Sequence, residues 1–168
     1  FLRHAGRALR GLRALPDMVA SCRRSVRPVY PRGEDPATGF AYRRLDPAAV
    51  AALVRTARAW RVTVNDLLLA ILLEALEPFA GERAPTQARH ELAVASIFNL
   101  RRDLDVDPNT TFGQFLSSFR ISHPLPPGIS LEQLAREIAA ETARIKREKL
   151  YLQSLLGLGV SALLLPLL

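Results

Sequence analysis

Only one cysteine, Cys22, occurs in the 168 residues, which excludes an internal disulfide framework and any cysteine-based zinc site. Three histidines, His4, His90 and His123, are scattered without metal-ligand spacing, so no metal site is expected. The chain also lacks a Gly-rich phosphate loop and a Gly-x-Ser-x-Gly elbow, and no catalytic constellation is identified within it. His123, in Ser122-His123-Pro124, stands at a strand end but without an evident partner, and a structural or exposed role is expected of it. Residues 1–31 are too rich in arginine, and lack the central apolar block, for a secretory signal. A reducing, cytoplasmic setting fits this composition, with peripheral membrane attachment as its extension.

Acidic side chains are scarce in one place above all. Residues 1–32 carry Arg3, Arg7, Arg10, Arg13, Arg23, Arg24, Arg27 and Arg32 against Asp17 alone, and this segment accounts for the whole net charge of +7. The rest of the chain balances, so nucleic acid is not an expected partner; the basic stretch has little aromatic interleaving and no nucleic-acid-binding motif. Interleaved with Leu2, Leu9, Leu12, Leu15, Met18 and Val19, it reads either as an amphipathic helix for acidic head groups or an acidic partner, or as a solvated connector. Prolines and a glycine between residues 27 and 36 then make a linker. The chain opens on Phe1 and stops at Leu168 inside a leucine-rich run, which leads to the expectation of a fragment of a longer protein.

What is present is apolar material in quantity. A hydrophobic content of 49% suffices for one domain with a sizeable core. Residues 40–45 alternate weakly and suggest a strand. Asp46-Pro47 is a cap followed by proline at the first helical position, which predicts a helix over 47–60 with Val50, Leu53, Val54 and Ala57 inward and Arg55, Arg58 and Arg61 outward. Val62-Thr63-Val64-Asn65-Asp66 joins a capping-box signal to an apolar stretch without a polar stripe, which predicts a helix over 64–79 buried on all sides. Residues 92–98 form a nearly continuous apolar run of strand length, expected to be covered on both faces. It delivers the chain to the polar cluster Asn99-Leu100-Arg101-Arg102-Asp103.

A second, edge-like strand is expected over 112–121, with Phe115, Phe119 and Ile121 on one side and Leu116, Ser118 and Arg120 on the other. Ser130 with Gln133 predicts another capping box. Beyond it Leu131, Ile138, Ile145 and Leu152, with Leu134, mark the buried stripe of a charged helix supported by Glu132 with Arg136 and Arg144 with Glu148. Residues 150–168 carry no charge. A membrane span, an interfacial or lipid-tunnel helix and a core helix all remain open for that run.

The order of arginine-rich connector, strand, helix, Thr63-Val64-Asn65-Asp66 with its leucine-rich helix, apolar strand, Asn99-Leu100-Arg101 and a late helix with Glu141-Thr142 and Lys146 resembles the C-terminal half of an acyltransferase superfamily. That superfamily holds the chloramphenicol acetyltransferase-like enzymes, condensation domains, alcohol acetyltransferases and wax ester synthase/diacylglycerol acyltransferases. The resemblance covers residues 30–150. It implies an α+β fold, the C-terminal lobe of a two-lobed structure with a mixed sheet packed with helices, incomplete without its N-terminal lobe. Three segments result: 1–36 as basic amphipathic segment and interlobe linker, 37–150 as the lobe, and 151–168 as a truncated apolar helix.

The resemblance further implies transfer of an acyl group from a thioester, acyl-CoA or an acyl carrier, to an alcohol or amine, with no bound cofactor. The family's His-His-x-x-x-Asp-Gly motif belongs to the other lobe, and a chain without it is expected to be silent alone. Arg101 matches the arginine that fixes the motif's aspartate, with Asn99 in support, and Asn65 and Asp66 match a block at the channel wall. The family's Gly-Asn after the Asn-Leu-Arg block is represented here by Gly113-Gln114. The alternative is a non-enzymatic membrane-associated module that binds lipid through the basic start and the apolar end. Alanine-, arginine- and leucine-rich usage suggests a high-GC bacterial source.

Overall fold

The computed structural model describes residues 15–27, 39–81, 88–101, 103, 107, 110–113 and 115–152. Among the described residues the fold is α+β, with four helices and a two-stranded antiparallel sheet. Helix α1 spans Leu15–Arg24, α2 Pro47–Ala59, α3 Val64–Leu76 and α4 Leu131–Glu148; β1 spans Leu92–Asn99 and β2 Leu116–His123. The remainder of the amphipathic segment at 1–14, most of the linker and the apolar end at 153–168 lie outside the described residues.

Helices α2, α3 and α4 start where their caps place them. The Asp46 carboxylate accepts the Ala49 N–H at 2.7 Å with Pro47 in the first turn, so two of the unsatisfied N–H positions of α2 are dealt with locally. At its other end the Val62 N–H reaches the Ala57 carbonyl at 2.9 Å and the Arg61 N–H the Arg58 carbonyl at 3.1 Å. This closing pattern forces Arg61 into left-handed backbone at φ 58°, where glycine is the usual occupant. Arg55, Arg58 and Arg61 face water as expected, and Leu53, Val54 and Ala57 turn inward, but Val50 is left exposed.

The capping box of α3 is complete. Thr63 Oγ1 accepts the Asp66 N–H at 3.2 Å while Asp66 Oδ2 accepts the Thr63 N–H at 3.0 Å. Leu67, Leu69, Ala70 and Leu73 are buried, yet Leu68, Ile71 and Leu72 are exposed. Burial on all sides is therefore corrected: α4 and β1 pack against one side of α3, and nothing among the described residues covers the opposite stripe. The helix ends at Leu76 and passes into a 3-10 turn, Glu77–Phe79, before Gly81 turns the chain at φ 65°.

In the sheet, Leu92 stands opposite His123 and Asn99 opposite Leu116. Period two sends Leu92 and Val94 with Ser117, Phe119 and Ile121 into the core. Leu116, Ser118 and Arg120 face outward as the sequence predicts, although β2 begins at Leu116 and not at residue 112. The expectation that β1 is covered on both faces is overturned, because Ile97 is 70% exposed on the outer face; two strands roofed by helices on one side leave the other bare. Residues 40–45 are not a strand either. They carry no regular structure and no strand pairing, with Phe40 90% exposed and its ring stacked on Tyr42 at 6.3 Å.

Helix α4 holds the sheet down. Leu134, Ala135, Ile138, Thr142 and Ile145 are buried along one stripe, and Glu132 with Arg136 pairs on the wet side. Ser130 caps it by accepting the Gln133 N–H at 3.2 Å. The expected reciprocal arm of that box is absent, since the Gln133 amide donates instead to Glu137. The helix stops at Lys149, left-handed at φ 55°, so Leu152 is buried but reaches the core from a 3-10 turn, Leu150–Leu152. Helix α1 is tied on by polar links: Arg24 Nε to Glu91 Oε1 at 2.6 Å, Ser21 Oγ to Ser122 Oγ at 3.0 Å and Asp17 to Arg144 at 3.5 Å.

Candidate functional site

The end of β1 builds a polar arrangement in which a buried donor is left without an acceptor. Asn99, its last residue, accepts the Arg101 N–H on Oδ1 at 3.0 Å, a local turn in which the side chain stands in for backbone. Leu100 is buried beneath it, and its N–H donates to the Phe115 carbonyl at 2.7 Å. The buried Leu100 anchors the turn, so the guanidinium of Arg101 is aimed by main chain.

That guanidinium is half-satisfied. Nη2 donates to the Gly113 carbonyl at 3.0 Å, and its carbon lies 5.2 Å from the Phe115 ring centre, within cation–π range. Nε is buried and meets no acceptor. A buried N–H without a partner costs about 1–3 kcal/mol, and more when it is charged, a penalty usually met where a ligand or another surface supplies the acceptor. Gly113 makes the arrangement possible: a Cβ there would meet the Phe115 ring at 3.2 Å, and its φ of 153° suits glycine.

Asp66 and Asn65 occupy a different place. Asp66 is 2% exposed, and besides the cap it accepts the Thr63 hydroxyl at 2.6 Å and the Thr142 hydroxyl at 2.7 Å. It is the polar rivet of the α3–α4 joint. Asn65 next to it is exposed. The structure thus brings Asn99 and Arg101 together, and it sets Asp66 into the helix joint and Asn65 at the surface.

Sequence reasoning missed the neighbour of Arg101. Asp103 is buried and receives Lys149 Nζ at 2.7 Å and the Tyr151 hydroxyl at 2.9 Å, while the Tyr151 ring stacks on Phe98 at 4.0 Å. The Ser117 hydroxyl donates to the Tyr151 carbonyl. Burial, with the Asp103 carboxylate beside it, pushes the Tyr151 phenol well above its ordinary range. A tyrosine opening an uncharged run was the available signal, because its hydroxyl needs a partner when buried.

A cleft of about 390 Å³ lies between α1, β2 and α4, lined among others by Ser21, Arg24, Glu91, Phe119, Arg120 and Arg144. Its acids and guanidiniums largely neutralise one another in the Arg24–Glu91 and Arg144–Glu141 pairs. Among the described residues no group of histidine, cysteine and carboxylates could hold a metal ion, and no helix is long and apolar enough to cross a membrane. No family model, curated protein or solved structure matches the chain.

Proposed function

We propose that this chain is the C-terminal lobe of an acyltransferase of the chloramphenicol acetyltransferase-like or condensation type. A companion N-terminal lobe carries the histidine. In the proposed reaction that imidazole takes the proton from an acceptor hydroxyl or amine, whose oxygen or nitrogen attacks the carbonyl of an acyl thioester. The new C–O or C–N bond forms as the C–S bond breaks, and the thiol of the coenzyme or carrier leaves with the proton. No residue of this chain takes part in the proton transfer. Arg101, held by Asn99, fixes a carboxylate of the companion lobe and thereby the loop that bears the base.

The observation that carries this reading is the buried Arg101 Nε without an acceptor, on a guanidinium whose other contacts are already in place. A fork held by a turn, a carbonyl and a ring is organised for a planar anion before the anion arrives. The bare apolar stripe of α3 gives second support, since it is the kind of surface that a second lobe would cover.

The test is made in the full-length parent. It should contain His-His-x-x-x-Asp-Gly upstream of Phe1 and release thiol from acyl-CoA in the presence of an alcohol or amine, while the 168-residue chain alone releases none. Arg101→Ala should lower kcat/KM of the parent on the order of 100-fold, as expected when a base is displaced, with Arg101→Lys recovering little of it. A parent without the motif removes the proposal. Flotation of the isolated chain with liposomes, dependent on both of its ends, would replace it by the lipid-binding module.

A further inference from the structure

His123 at the end of β2 has both ring nitrogens engaged, and the two engagements fix its protonation. Nδ1 accepts the Leu125 N–H at 3.0 Å, and Nε2 lies 2.7 Å from Glu137 Oε2. A backbone N–H can only donate and a carboxylate only accept, so the ring is neutral with its proton on Nε2. The side chain is 12% exposed.

The loop it holds is under strain. Leu125 sits between Pro124 and Pro126 in left-handed backbone at φ 45°, a region unfavourable for a branched residue, and its side chain is buried. The Ile129 N–H to Pro126 carbonyl bond at 3.1 Å closes the far side. Three constraints therefore hold Leu125: its buried side chain, that turn, and the imidazole nitrogen. Residues 124–127 also form one wall of a cleft of about 570 Å³ whose other lining groups are Glu77, Gly81 and His90.

We propose that His123 is a pH-sensitive latch: protonation converts Nδ1 from acceptor to donor, sets two N–H groups against each other, and releases Leu125 and the wall of this cleft. Among the described residues these groups lie about the ring and its loop. From α4 come Glu137 and, through it, the neutral Gln133 amide; the cross-strand neighbour on β1 is Leu92; Glu77 and His90 line the same cleft as the loop. Glu137 is already kept ionised to lower pH by the His123 and Gln133 hydrogen bonds, so its carboxylate is present to accept the charged ring from Nε2 while Nδ1 expels the backbone. The imidazole stays tethered to α4 and the loop is what moves. The latch is independent of the acyl-transfer reading.

Nuclear magnetic resonance of the full chain tests it. At about pH 8 the His123 ring should show the Nε2–H tautomer, and between about pH 8 and about pH 5, where imidazoles titrate, the Leu125 amide should lose roughly tenfold in exchange protection after correction for intrinsic rates. His123→Gln should abolish that pH response. Glu137→Gln should keep it but move its midpoint to lower pH, because the charged ring loses its counter-ion. A proton found on Nδ1, Leu125 protection unchanged as His123 titrates, or a response lost in His90→Gln but kept in His123→Gln, would each overturn the latch.

Discussion

Helices α3 and α4 pack on each other and on the same sheet, yet they meet the outside in opposite ways. The outer face of α4 is charged, with Arg136 and Glu132 paired and Arg144 held by Glu141 at 2.8 Å. The exposed side of α3 carries Leu68, Ile71 and Leu72 between Asn65 and Glu74: Leu72 is 47% exposed although Leu73 beside it is 0% exposed. A helix finished for water shows polar residues there. The contrast teaches that the described residues finish α4 for water and leave the apolar stripe of α3 bare, and exposing such a stripe is unfavourable unless something covers it.

The largest expected effect breaks the inner side of α3. Leu73→Ala should destabilise the chain by about 3 kcal/mol, as buried leucine truncations do, whereas Leu72→Ala should stay within about 0.5 kcal/mol; midpoints of urea unfolding measure both. If the two cost the same, the outer stripe is buried and the comparison fails. In the two-lobed acyltransferase proposed above, the triple change Leu68→Gln, Ile71→Gln and Leu72→Gln sharpens it from the other side: activity should fall while the unfolding midpoint of the isolated chain holds.

Next comes the rivet between the two helices. Asp66→Ala removes the acceptor for the Thr63 amide and hydroxyl and for the Thr142 hydroxyl, and should cost about 2 kcal/mol. Thr142→Val should cost about 1 kcal/mol, leaving the capping half of the network in place.

A smaller effect is confined to alkaline pH. The Tyr151 phenol has a folded pKa raised above its unfolded value, so the stability it contributes is fully present below about pH 10 and is lost as pH rises from there. Tyr151→Phe should cost about 1 kcal/mol at neutral pH through the lost bond to Asp103, and should flatten the alkaline limb of the stability curve. A limb of unchanged steepness would assign the loss to other groups.

The smallest expected change is a gain. Arg61→Gly places the residue that left-handed backbone favours at the end of α2, and should raise stability by about 0.5–1 kcal/mol in thermal unfolding. A loss would show that the Arg61 side chain stabilises the joint between α2 and α3 by more than the backbone strain.

The local devices were legible because each depends on neighbours in sequence. Asp46-Pro47, Thr63 with Asp66, and Ser130 all cap where their spacing says, and the alternation of 116–121 names the two faces of β2. The same local logic failed where partners decide. Residues 40–45 alternate like a strand, but a strand needs an edge to pair with, and none of the described residues supplies one. Gln133 had the position for a capping box, and Glu137 one turn on captured its amide. Of the candidate site, the turn at Asn99-Leu100-Arg101 could be read from its residues, whereas the Asp103, Lys149 and Tyr151 cluster could not, since it joins positions 46 and 48 residues apart.

Sequence alone determined where α2, α3 and α4 begin, which strand residues alternate, and that the chain holds more apolar surface than charge can balance, because hydrogen-bond caps and side-chain periodicity act over a few residues. Tertiary structure decided which of the apolar faces is buried, that Asp66 is a joint, and that Arg101 keeps a donor unfilled. Those outcomes depend on what packs against each residue from far along the chain, and no local pattern contains that.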